Sequence, residues 1–96
     1  MPTQLQLTTP EDAEDISELD NAVFGDEGLG PSTVRQELTT GWGMKALERN
    51  LLVGYALVRP GSLHDLTRLG VREGHRKKGI GAALLNAAKM SHKGPM

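Results

Sequence analysis

The stretch LTRLGVREGHRKKGIGAALLNAAKM, residues 66–90, reads as a strand, a glycine-rich basic turn and a helix in immediate succession. Leu66, Leu69 and Val71 give a short extended run its apolar content, Gly74 interrupts it, and Gly79-Ile80-Gly81 opens a segment with apolar residues at helical spacing. Between them lie Arg72, His75, Arg76, Lys77 and Lys78. The first turn of a helix leaves its N–H groups without intrahelical acceptors, and the helix dipole adds partial positive charge there. Glycines at that opening let an anion approach the backbone, so the junction suits a phosphate.

The rest of the chain reads as support for this junction. Gln4-Leu5-Gln6-Leu7 alternates like a half-buried strand, and Thr9-Pro10-Glu11-Asp12 is a helix start with Thr9 as N-cap and Pro10 at the first helical position. Ala13, Ile16, Leu19 and Val23 line one face of that helix, with Glu11, Asp12, Glu14, Asp15 and Glu18 on a solvated acidic side. After a glycine-rich loop from Gly25 to Pro31, Ser32 or Thr33 can cap a second helix carrying Val34 and Leu38, which Gly41-Trp42-Gly43 ends. Phe24, in that loop's approach, belongs to the core. Met44–Glu48 and Leu51–Val58 read as strands joined by a tight turn at Arg49-Asn50, and a further strand spans Leu63–Val71 after a turn at Arg59-Pro60-Gly61-Ser62. The near-continuous apolar run Leu52–Val58 predicts burial on both faces, with helices on both sides of the sheet. The last helix spans Gly79–Met90, with Ile80, Ala83, Leu84, Ala87 and Ala88 on its packed face and residues 91–96 as a frayed tail.

At 96 residues the chain is one small domain, near the size where burial only just offsets chain entropy. It has no cysteine, which excludes disulfides and thiolate metal sites and fits a reducing compartment. With no signal-peptide core and no apolar run of membrane-spanning length, the expectation is a soluble, cytoplasmic protein with no membrane partner. Net charge is −1, but residues 1–50 carry three Lys/Arg against ten carboxylates and residues 51–96 carry eight against two. This asymmetry fits an anionic ligand on the C-terminal half, or two halves that attract each other in the fold. The basic cluster lacks stacking aromatics, so nucleic acid is not expected as a partner.

Three phosphate-loop patterns compete for Gly74–Gly81. A Walker A loop needs Lys-Ser/Thr after its second glycine, where this chain has Ile80-Gly81. A dinucleotide fingerprint needs a third glycine where Leu84 stands and an acidic residue about 20 positions later, past the last residue. The third pattern fits: Arg76-Lys77-Lys78-Gly79-Ile80-Gly81-Ala82, following a strand that ends in Leu69-Gly70-Val71, resembles the Arg/Gln-x-x-Gly-x-Gly/Ala signature of the GCN5-related N-acetyltransferase (GNAT) superfamily. VREGHRKKGIGAALL is similar to that family along its whole length, GYALVRP at Gly54–Pro60 is similar to its third strand, and the order of elements agrees. The resemblance implies an α/β (α+β) fold with a mixed sheet in β-α-α-β-β-β-α order, that of the acyl-CoA N-acyltransferases.

The resemblance also assigns roles. It implies acetyl-CoA as co-substrate, with the backbone of Leu69, Gly70 and Val71 pairing with the pantetheine arm. The N–H groups of Lys77, Lys78, Gly79, Ile80, Gly81 and Ala82 would hold the pyrophosphate, with charge from Arg76, Lys77 and Lys78. The chemistry would be direct attack of a neutral amine on the thioester, aided by a base and an acid. The family often carries a glutamate base four residues before the position of Val71, where this chain has Thr67, which is no base at neutral pH. Asp65 alternates onto the same face as Thr67 and is one catalytic candidate, or else a surface carboxylate; Glu48 on the second strand is another. Tyr55 sits in a core strand and does not match the family's thiolate-protonating tyrosine. His64, His75 and His92 lack metal-ligand spacing, and no metal is expected.

The match runs over residues 1–96 but reaches only just past the family's signature helix, so the expectation is one incomplete, truncated domain. Its fourth strand would present an open edge, favouring self-association or a completing partner chain. The alternative to an enzyme is a catalytically inactive CoA-binding remnant or an interaction subunit.

Overall fold

The computed structural model describes residues 3–59, 66–76 and 79–92. Strand β1 (Gln4–Leu7) leads through a 3-10 turn (Pro10–Asp12) into α1 (Ala13–Phe24), and a second 3-10 turn (Gly25–Glu27) leads to α2 (Pro31–Thr40). Strands β2 (Trp42–Glu48), β3 (Leu51–Val58) and β4 (Leu66–Val71) follow, and α3 (Ile80–His92) ends the described chain. The four strands form one sheet in the order β1-β2-β3-β4. This is the expected element order. All three described ladders are antiparallel, so the parallel pairing that a mixed sheet requires is not among these strands.

Local chemistry explains most element boundaries. The Thr9 N–H donates to Asp12 Oδ2 at 2.8 Å, with Pro10 at the first helical position. Arg49 and Asn50 both have positive φ, at 53° and 68°, which makes the two-residue turn whose twist matches that of the β2–β3 hairpin. The cap of α2 differs from expectation. Gly30 is the N-cap and Pro31 occupies the first turn, because proline's fixed φ and missing N–H suit that position better than Ser32 or Thr33 suit the cap. Gly41 caps the C-terminus of α2, so Trp42 and Gly43 already belong to β2. Ser91 and His92 remain helical rather than frayed.

The sheet is covered on both faces, as the apolar run in β3 predicts. On one face Ala13, Ile16 and Leu19 of α1 and Val34 and Leu38 of α2 pack on Tyr55 and Leu57, with Val23 half-buried beside them. On the other, Ile80 and Leu84 of α3 pack on Met44, Ala46, Val53 and Ala56. Ala83 is exposed, because the packed stripe of α3 runs through Ile80, Leu84 and Ala88 and leaves it to one side. Strand β1 is exposed along its length, with Leu5 36% and Leu7 60% accessible, because no helix covers that edge. Among the described residues, no helix is long and apolar enough to cross a membrane.

Candidate functional site

The β4–α3 junction sits at one end of the sheet. Strand β4 pairs with β3 through Gly54↔Val71, Tyr55↔Gly70 and Ala56↔Leu69, and among the described residues its other edge has no strand partner. The chain leaves β4 with the Arg72 N–H bonded to Val53 O at 2.7 Å and the Arg72 side chain bonded through Nε to Leu52 O at 2.9 Å. A turn closes with the His75 N–H on Arg72 O at 3.0 Å, and Arg76, exposed, returns its Nε to Val71 O at 3.1 Å.

Gly79 precedes α3 with φ 77°, a left-handed conformation that costs an ordinary L-residue roughly 1–2 kcal/mol. The first helical bond of α3 runs from Ala83 N–H to Gly79 O at 2.9 Å. The N–H groups of Ile80, Gly81 and Ala82 therefore lie in the first turn, ahead of any intrahelical acceptor. A Cβ on Gly81 would meet Val71 Cγ2 and Leu69 Cδ2 only at ordinary contact distance, 3.7 and 3.8 Å, so glycine there is not demanded by packing on β4. Gly70 is different: a Cβ there would stand 2.6 Å from the Tyr55 hydroxyl.

Of the expected site residues, Leu69, Gly70 and Val71 lie on β4, and Arg76, Gly79, Ile80, Gly81 and Ala82 follow in the turn and first turn of α3. Lys77 and Lys78 lie outside the described residues, as do Asp65, His64, the turn at 60–62 and the tail at 93–96. Glu48 ends β2 on the side of the β4–α3 turn: its carboxylate takes the Thr3 hydroxyl at 2.9 Å and stands 3.0 Å from His75 Nδ1. Thr67 donates to Leu57 O at 3.1 Å and lies 3.4 Å from Glu37 Oε1 on α2.

The sequence reading passed over a buried polar cluster on the opposite face. Asp20 of α1 is 0% exposed and takes the Tyr55 hydroxyl, the Leu29 N–H at 2.7 Å, and Arg68 Nε and Nη2, each at 3.0 Å. Burial alone would raise the Asp20 pKa, but the bonds from Arg68, Tyr55 and Leu29 outweigh it and hold the carboxyl below its ordinary value. Burial and the Asp20 charge push the Tyr55 phenol far above its ordinary range, so it is a fixed donor rather than an acid. The Arg68 guanidinium lies 4.0 Å from the Phe24 ring centroid, so Phe24 is half-buried beneath a cation rather than enclosed in the core. A signal existed in the sequence: Asp20 follows Ala13 by seven residues and Ile16 by four, on the apolar stripe of α1.

A cleft of about 220 Å³ opens between α1 and the β2–β3 hairpin, with Asp12, Asp15 and Glu18 on one wall and Lys45 and Arg72 on the other. Lys45 is committed to Asp12 at 2.8 Å. At this volume it falls below the roughly 300 Å³ where small-molecule pockets begin.

The fold is that of known N-acetyltransferases. The ribosomal-protein-S18-alanine N-acetyltransferase of Escherichia coli superposes with a TM-score of 0.83 at 11% identity, over 95% of this chain and 59% of that one. Ard1 of Thermoplasma volcanium gives 0.80 at 16% identity, over 97% and 65%. Diaminobutyrate acetyltransferase EctA of Paenibacillus lautus, solved with its substrate and coenzyme A, gives 0.76 at 18% identity, over 91% and 56%. The chain thus spans about three fifths of the length of these proteins. The sequence profile of the Acetyltransferase (GNAT) domain matches residues 12–94, and the chain belongs to that family. No curated protein matches the sequence.

Proposed function

We propose that this chain binds acetyl-CoA along β4 and at the opening of α3, and serves transfer of the acetyl group to an amine. The observation that carries the reading is the continuity of two backbone surfaces. The open edge of β4 at Leu69–Val71 leads into a turn whose glycines at positive φ, Gly74 and Gly79, precede the uncommitted N–H groups of Ile80, Gly81 and Ala82. In this reading the β4 edge pairs with the pantetheine amides as an added strand would, and the α3 opening takes the pyrophosphate. Arg76, Lys77 and Lys78 add charge near it, with no metal. Acetyl-CoA supplies an activated thioester, and the protein orients it.

The acceptor is an amine, the class that similar proteins take: alanine of ribosomal protein S18 for the E. coli N-acetyltransferase and L-2,4-diaminobutyric acid for EctA. The absence of cysteine and of any described membrane-length helix supports a cytoplasmic setting. Asp65 and Glu48 are the bases the sequence suggests, and Glu48, beside His75, is at the phosphate end of β4. The open edge of β4 also favours a second reading: an interaction subunit in which a strand from another copy or a partner chain occupies that edge.

Calorimetric titration with acetyl-CoA, joined to mass detection of an acetylated amine, tests the proposal. One-to-one binding that is weakened in Gly79→Ala is expected. No heat and no thermal shift at millimolar acetyl-CoA would remove the enzyme reading and leave the interaction subunit.

A further inference from the structure

We propose that Glu37, on α2, is the group that takes the proton from the incoming amine, its carboxylate lying beside Thr67 of β4. The assignment rests on the acetyl-transfer reading above.

The first observation is a break in the β3–β4 ladder. Leu57 pairs with Arg68 and Val58 with Leu66, leaving Thr67 as an extra residue without a partner on β3. A bulge of this kind bends the strand and re-aims a side chain. Here the Thr67 hydroxyl lies on the α1/α2 face, bonded to Leu57 O at 3.1 Å and standing 3.4 Å from Glu37 Oε1.

The second observation is position along the strand. With the phosphates held beyond Val71, an arm running back past Val71, Gly70 and Leu69 carries the thioester toward Arg68, Thr67 and Leu66. At about 3.3 Å per residue, Thr67 lies roughly 13 Å from Val71, at the end of the strand opposite the phosphate loop. A base is needed there.

The third observation is the state of three carboxylates, Asp20, Glu48 and Glu37. Asp20 is near Arg68 but fully buried, with hydrogen bonds to both oxygens, and held below its ordinary pKa. It cannot both serve Arg68 and accept a proton. Glu48 stands with His75 and Thr3 at the phosphate end. Glu37 is half-buried and, among the described residues, its carboxylate has no cation within ion-pair reach; the Thr67 hydroxyl is its one side-chain partner. Its oxygens are available to an ammonium group. The long 3.4 Å contact suits a catalytic carboxylate that closes on its partner only when substrate is present.

The step balances as follows. Glu37 removes one proton from the acceptor ammonium, and the nitrogen lone pair then forms the C–N bond to the thioester carbonyl carbon. The C–S bond breaks with its electron pair on sulfur. A second proton, shed by the nitrogen as the amide forms, goes to the thiolate, and Glu37 returns its own proton to solvent.

The test uses acetyl-CoA with an alanine-starting peptide, L-2,4-diaminobutyrate and spermidine as acceptors, following thiol release, with calorimetry for acetyl-CoA binding. Glu37→Gln is expected to lower kcat by about 10²–10³-fold with acetyl-CoA affinity and thermal midpoint unchanged, and Glu37→Asp to recover part of the loss. If none of these amines is taken, the slow hydrolysis of bound acetyl-CoA reads the same residue, since water then needs the same proton acceptor. Binding and turnover by the wild type with Glu37→Gln at the wild-type rate would overturn the base assignment alone, as would a full loss in Asp65→Asn with Glu37→Gln unaffected. A wild type that binds no acetyl-CoA would overturn the underlying reading and the base with it.

Discussion

The two faces of the sheet are held by different physics. The α1/α2 face surrounds a charged group: Asp20 lies at its centre, tied to β3 through Tyr55, to β4 through Arg68 and to the α1–α2 connection through Leu29. The α3 face is an apolar cluster, and its polar groups lie at the rim, in the turn and first turn of α3. A buried charge must have all its partners or it destabilises the fold, so the first face is rigid and committed. The second face is held by apolar packing, and at its rim the N–H groups of Ile80, Gly81 and Ala82 lie ahead of any intrahelical acceptor. Charge removal and volume removal should therefore separate the two.

Asp20→Ala is expected to have the largest effect, a loss of about 3–5 kcal/mol in denaturant unfolding, because it strands Arg68 and the Tyr55 hydroxyl inside the fold. Leu84→Ala comes next, at about 2–4 kcal/mol, through the cavity left beside Ile80 and Val53. The pH dependence sharpens the contrast. The folded pKa of Asp20 lies below its ordinary value of 3.8, so its contribution is complete above that value and is lost as pH falls through the folded one. The penalty of Asp20→Asn should then shrink below about pH 4, while that of Leu84→Ala should not change with pH by this route. Gly70→Ala is expected to cost about 1–3 kcal/mol by driving a Cβ against the ring and hydroxyl of Tyr55. Lys45→Ala, which breaks an ion pair with Asp12 at the edge of the cleft, should move stability by no more than about 1 kcal/mol. A pH-independent Asp20→Asn penalty, or an Asp20→Ala loss no larger than that of Lys45→Ala, would break the distinction between the faces.

The same contrast explains what was legible in the sequence. The α3 face is built from local signals: helical spacing of Ile80, Leu84 and Ala88, a glycine before the helix, and the near-continuous apolar run in β3. Those features are contiguous, so the strand, turn and helix of the junction could be read directly. The α1/α2 face depends on partners 35 and 48 residues from Asp20, which no periodicity reveals. Glu37 was hidden for the same reason, since its meaning comes from a bulge at Thr67 thirty residues away. The charge asymmetry of the two halves, left open between ligand and fold, is accounted for in part by the fold. Arg68 of the basic half is neutralised by Asp20 of the acidic half, whereas Arg76 bonds only a backbone carbonyl among the described residues.

Amide hydrogen exchange with and without acetyl-CoA tests the central claim, that the β4 edge and the opening of α3 form one cofactor seat. The account predicts slowed exchange at Leu69–Val71 and at Gly79–Ala82, with the amides of α1 and of the β2–β3 hairpin unchanged. Protection confined to the cleft between α1 and that hairpin, or no protection anywhere at millimolar acetyl-CoA, would contradict it.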